Sequence, residues 1–132
     1  LVEISGASDV LKGSIVAYQV DAKDKVLGVQ VDDIYSLECA EKMAKAALEK
    51  FDSDFAISTT GVSGPGSQFV NGVEHVQGEV YLGVATRGYV MARKFILGGD
   101  RQRVREYGTI SALNLLREIL LNKVEIEAST SE

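Results

Sequence analysis

Two rhythms of apolar residues run along this chain, and the switches between them mark the elements. Ser14 to Gln19, SIVAYQ, is dense in apolar and aromatic residues and reads as a buried strand. Ser36 then opens a different pattern. Leu37, Ala40, Met43, Ala44, Ala47, Leu48 and Phe51 recur at steps of three and four, with Glu41, Lys42, Lys45, Glu49 and Lys50 on the opposite side. That is an amphipathic helix capped by the Ser36 hydroxyl. Phe55 to Thr59 returns to strand character and runs into the glycine-rich stretch Thr60-Gly61-Val62-Ser63-Gly64-Pro65-Gly66. Gly78 to Thr86 and Gly88 to Leu97 are both strand-like, and Arg87-Gly88 between them predicts an antiparallel hairpin. Gly98-Gly99-Asp100 breaks the second strand and caps a final helix over 101–122, with Val104, Ile110, Leu113, Leu116 and Leu120 as its buried face. Two shorter pieces complete the pattern. Ser8 and Asp9 start a helical stretch that stops at Gly13, and Asp21 reads as the N-cap of a helix from Ala22 to Leu27, closed by Gly28.

Strands alternating with helices, plus one hairpin, predict an α/β fold in which a mixed sheet is covered by helices on both faces. One domain is expected over residues 1–122, followed by a polar tail over 123–132. In such folds ligands collect outside the carboxyl ends of the strands. Tyr18, Lys23 and the Thr60–Gly66 loop all fall just past predicted strand ends, so one crevice can hold them together.

Composition narrows the chemistry. The chain has a net charge of −5, which speaks against a nucleic-acid partner. No apolar run approaches the roughly 20 residues of a membrane span, so no membrane partner is expected. A lone cysteine, Cys39, leaves no internal disulfide and suits a reducing cytoplasm. With a single histidine as well, the chain has too few ligands for a Cys/His metal site. The charge is unevenly spread, however. Between Arg87 and Arg105 six basic residues meet one acid, Asp100, and this local cationic face suits a small anion.

Three constellations carry candidate chemistry. A lysine desolvated near other cations can take a proton from a hydroxyl, and Lys23 follows Tyr18 by five residues, close enough for the phenol to hold or relay at the amine. The spacing is one residue longer than the Tyr-x3-Lys pair of the short-chain dehydrogenases. The TTGVSGPG loop presents backbone N–H groups and the Thr60 and Ser63 hydroxyls as a cradle for an anion or oxyanion; it lacks the Gly-Lys-Ser/Thr ending of a P-loop. Arg101 and Arg105 sit one turn apart at a helix start, where orphan N–H groups favour anions. His75 reads as a surface residue without a carboxylate partner, Cys39 as a small core residue, and Asp32-Asp33 as too isolated for a metal.

SGASDVLKGSIVAYQVDAKDKVLGV, STTGVSGPG, GEVYLGVAT and LGGDRQRVRE, in that order, resemble the CinA C-terminal domain family over nearly the whole chain. The resemblance implies a three-layer α/β/α sandwich around a mixed, mainly parallel sheet. It implies hydrolysis of the carboxamide of nicotinamide mononucleotide to nicotinate mononucleotide and ammonia, with no metal or organic cofactor, in a homodimer. It assigns Lys23 as general base, Tyr18 as its orienting or relaying partner, and Thr60 with the loop at Gly61, Ser63 and Gly64 as the holder of the amide or oxyanion. Arg101, with Arg105 beside it, would take an anionic part of the substrate. The nucleophilic serine implied by the resemblance lies in a Glu-Ser-x-Thr-Gly-Gly segment ahead of Leu1. The alternative is a non-catalytic nucleotide-binding or assembly module of the same fold. The chain departs from the family after Gly66, where Val73-Glu74-His75-Val76-Gln77-Gly78 replaces a Pro-Glu-Lys-Pro-Val-Gly run.

Overall fold

A single strand, β4 (Glu79–Thr86), organises the molecule: every residue from Glu79 to Ala85 is buried. A computed structural model describes residues 1–121. In chain order the elements are α1 (Val20–Leu27), α2 (Leu37–Phe51), β1 (Phe55–Gly61), β2 (Gln68–Val70), β3 (Val73–His75), β4, β5 (Val90–Ile96) and α3 (Arg101–Leu120). β1, β4 and β5 form one sheet with β4 in the middle, and β2 with β3 makes a separate small hairpin.

The alternation of β4 decides what lies on each face. Val80, Leu82 and Val84 point to one side and pack with Val104, Ala112, Leu115 and Ile119 of α3. On the other side Ala85 meets Ala44 and Leu48 of α2. α2 lies very close to the sheet because small residues meet there. A side chain at Gly83 would collide with the Ala40 carbonyl and the Ser58 hydroxyl, and that hydroxyl already donates to the Ala40 carbonyl at 2.6 Å. Helices therefore cover both faces of one sheet, as the three-layer expectation requires.

The sheet direction differs from expectation. β1 pairs β4 antiparallel, with Thr60 opposite Tyr81, and β4 pairs β5 antiparallel, with Tyr81 opposite Lys94. No helical crossover joins two strands among the described residues; β1 returns to β4 through the β2–β3 hairpin, which reverses the chain. The expected mainly parallel sheet is thus corrected to an antiparallel one over these residues.

Four local expectations also change. The helical stretch expected to start at Ser8 and Asp9 and to stop at Gly13 is a single 3-10 turn, Ala7–Asp9, that opens at Gly6 without a side-chain cap. Among the described residues Ser14 to Gln19 joins no sheet: a strand needs a paired neighbour, and Val16 and Tyr18 are 84% and 79% exposed. The α1 cap moves to Gln19, since the helix already begins at Val20, and Asp21 pairs instead with Lys25 at 2.8 Å. α3 buries Val104, Gly108, Ala112, Leu115 and Ile119, whereas Ile110 and Leu120 point outward. Both long-helix caps are as expected. Ser36 accepts from Cys39 N at 3.1 Å, and Asp100 accepts from Arg103 N at 2.9 Å. The polar tail, 123–132, lies outside the described residues.

Candidate active site

Lys23 is carried inward by α1 and is only 7% exposed. A buried ammonium must keep a hydrogen-bond partner, and here it donates to the Ala17 carbonyl at 3.0 Å. The backbone just before Tyr18 therefore fixes the amine, rather than the Tyr18 phenol itself. Tyr18 is exposed, and its hydroxyl accepts from the Arg101 guanidinium at 3.4 Å. The other arm of Arg101 donates to the Gly64 carbonyl at 2.6 Å. One guanidinium thus ties the segment before α1, the loop after β1 and the start of α3.

Thr60 does not lie past a strand end, as the sequence suggests, but inside β1, with Gly61 as the last residue of that strand. It is buried, and its hydroxyl donates to the Ile34 carbonyl at 2.8 Å. With its one proton committed, the hydroxyl meets a ligand as an acceptor. Ser63 and Gly64 follow in the loop. Arg105 lies one turn along α3 from Arg101, at a helix end that the Asp100 carboxylate already caps by accepting from Arg103 N.

These eight residues, Tyr18, Lys23, Thr60, Gly61, Ser63, Gly64, Arg101 and Arg105, all line one open groove of about 2200 Å3. One wall is the unpaired Ser14–Tyr18 segment; the other is β1, whose outer edge has no partner strand among the described residues. Met43 and Ala47 of α2 and Val104 and Gly108 of α3 also line it. Neither Lys23 nor Thr60 hydrogen-bonds a nucleophilic hydroxyl among the described residues. No group of three or more His, Cys, Asp or Glu side chains among them is arranged for a metal, and no helix among them is long and apolar enough to cross a membrane.

The sequence view misses one charged cluster altogether. His75 is 6% exposed, not a surface residue, and it lies between two carboxylates. Its Nδ1 is 2.7 Å from Glu79 Oε2 and its Nε2 is 2.6 Å from Asp33 Oδ2. Tyr81 donates to Glu79 Oε2 at 3.0 Å, Val76 N to Glu79 Oε1 at 3.2 Å, and Tyr35 N to Asp33 Oδ1 at 2.8 Å. Burial opposes the imidazolium charge, but the hydrogen bonds to Glu79 and Asp33 and their charges outweigh it, so its pKa stands above the ordinary histidine value. Burial would raise the Glu79 carboxyl, yet the contacts from His75, Tyr81 and Val76 hold it below its usual range. Burial and the bond to Glu79 push Tyr81 up to about 12. The available signal was a histidine and a glutamate four apart across a glycine turn, at the head of a fully buried strand.

A model of the CinA C-terminal domain matches residues 1–120. A CinA-like protein of Dictyoglomus turgidum is 41% identical over 128 residues, covering 92% of this chain and 30% of the relative. One of Dictyoglomus thermophilum is 39% identical over 127 residues, covering 92% and 30%. This chain therefore spans about 30% of the length of these curated relatives. The crystal structure of the competence/damage inducible protein CihA from Agrobacterium tumefaciens superposes with a TM-score of 0.79 at 31% identity, covering 92% of this chain and 74% of that one. With a family model over nearly all of its described length and relatives this similar, the chain belongs to the CinA C-terminal domain family.

Proposed function

We propose that this domain is the larger part of a nicotinamide-nucleotide amidase, hydrolysing the carboxamide of nicotinamide mononucleotide to nicotinate mononucleotide and ammonia. The observation that carries the reading is the convergence of a buried lysine, a buried threonine hydroxyl and an arginine pair on one groove. Each has a separate task there. Lys23, once neutral, accepts the proton of the attacking serine, and Tyr18 relays it towards the leaving ammonia. Because the Thr60 proton is committed to Ile34, its oxygen accepts from the substrate carboxamide N–H. Val62 N is committed to the Glu79 carbonyl, so the oxyanion falls to the backbone N–H groups of Ser63 and Gly64. Arg101 and Arg105 hold the phosphate.

No Glu-Ser-x-Thr-Gly-Gly run occurs in these 132 residues, so on this reading the attacking serine is not one of the described residues. The test is ammonia release by the full-length protein and by its Lys23→Met variant, which keeps the aliphatic stem but removes the amine. Turnover should fall by roughly 100- to 10,000-fold with the thermal melt little changed. A variant with near-normal turnover would remove Lys23 from the mechanism. A wild-type protein that binds the mononucleotide without releasing ammonia would make the domain a nucleotide-binding module.

A further inference from the structure

We propose that His75 is a positioning residue for Thr60: bridging Asp33 and Glu79, it clamps the loop between α1 and α2 onto β4 and fixes the Ile34 carbonyl that orients the Thr60 hydroxyl. The proposal rests on the amidase reading for what Thr60 does, but not for the clamp itself.

Three contacts make the loop a single unit. Asp33 Oδ2 meets His75 Nε2, the Asp33 carbonyl accepts from Ser36 Oγ at 2.7 Å, and the Ile34 carbonyl accepts from Thr60. Ser36 in turn caps α2. On the other side of His75, Glu79 belongs to the strand paired with β1, and the Glu79 carbonyl accepts from Val62 N at 2.8 Å, at the start of the loop after β1. Histidine therefore joins both walls around Thr60: the loop that sets its hydroxyl and the strand that sets its backbone.

Proton counting shows when the clamp is complete. A neutral imidazole carries one N–H and one lone pair, whereas an imidazolium carries two N–H donors. Both carboxylates already receive other donors, Tyr81 and Val76 at Glu79 and Tyr35 at Asp33, and those at Glu79 favour its ionised form. With both ionised, only the imidazolium can donate on both sides; losing its proton sets a nitrogen lone pair against a carboxylate oxygen. Among the described residues no other charged side chain pairs with the ring. Tyr35 packs edge-on to the ring with centroids 5.2 Å apart, Gln68 lies opposite on β2, and Lys94 of β5 sits over the Tyr81 ring at 5.7 Å. The clamp therefore weakens as pH rises through the histidine pKa, which its two partners hold above the ordinary range. Thr60 then loses its fixed orientation.

The experiment uses the full-length protein labelled with 15N-histidine and 15N-threonine, with the His75 signal assigned by its loss in either His75→Gln or His75→Lys and the Thr60 signal by its loss in Thr60→Val. The Thr60 amide signal should titrate with the same midpoint as the His75 ring. In parallel, kcat/KM for nicotinamide mononucleotide should show an alkaline limb at that midpoint. His75→Gln should lower kcat/KM by roughly 10-fold or more and flatten the limb, and His75→Lys, a cation at every working pH, should recover activity and carry it to higher pH. A His75→Gln protein that melts earlier but keeps kcat, KM and pH profile would overturn the proposal. So would a Thr60 signal indifferent to the His75 titration, a readout that survives if His75→Gln does not fold. If the wild type releases no ammonia, the amidase reading fails, and the shared titration still decides the clamp.

Discussion

At the scale of single residues, the outcome turned on whether chemistry is written in local sequence or in contacts between distant segments. Tyr18, Lys23 and Arg101 stand in short motifs that single them out in the sequence, and Lys23 finds its partner Ala17 only six residues away, although Arg101 reaches Tyr18 and Gly64 across distant segments. His75 has no such signature. Its partners are Glu79 nearby and Asp33, 42 residues away, and only folding brings that carboxylate to the ring. A histidine in a polar stretch gives no hint of burial, which here is affordable only because both nitrogens are paired. Arg101 yields the sharpest prediction at this scale. Its guanidinium spans Tyr18 and Gly64 in the free protein and takes the substrate phosphate in the proposed complex. Arg101→Ala should raise KM for nicotinamide mononucleotide by about 10- to 100-fold, as expected for losing a charge-assisted hydrogen bond. It should change KM far more than kcat, and the difference should shrink in high salt. Steady-state kinetics at two ionic strengths checks this.

At the scale of elements, the caps of the two long helices and the β4–β5 hairpin turn were legible, whereas the cap of α1 and the helix faces were less so. Ser36 and Asp100 cap as expected because capping is a matter of a few consecutive residues. The α3 face is misread for a physical reason. Large apolar residues such as Ile110 and Leu120 attract attention, but the sheet accepts Gly108 and Ala112, whose small size lets the helix approach. Ser14–Gln19 has the composition of a strand, and composition cannot supply a partner. The contact of α2 with β4 gives the stability prediction. Gly83→Ala pushes a methyl group against the Ala40 carbonyl and the Ser58 hydroxyl, both held by backbone and hydrogen bond. It should cost about 1–3 kcal/mol, measurable by denaturant unfolding, as overpacking in a tight interior does. An unchanged midpoint would mean that α2 moves away from the sheet without penalty.

At the scale of the whole molecule, the layers were legible and the strand directions were not. Alternating elements predict helices on both faces, whereas parallel pairing depends on crossovers that the described residues do not contain. The buried Asp33–His75–Glu79 cluster links the layers to pH. A group whose folded pKa is raised, as for His75, contributes stability that is full below its ordinary value of 6.5 and is lost as pH rises through the raised value. Glu79, held below its ordinary 4.5, contributes stability present above that value and lost as pH falls through the lowered one. Thermal stability should therefore peak between these limits and decline on both sides. His75→Gln should remove the alkaline decline that belongs to this residue. Melting temperatures of both proteins across the pH range check the sign.

The central claim is that the groove hydrolyses a pyridine carboxamide, and product analysis tests it most directly. The full-length protein, given nicotinamide mononucleotide, should release ammonia and nicotinate mononucleotide in equal amounts, with no added metal or cofactor. Tight binding of the mononucleotide without either product would contradict the account.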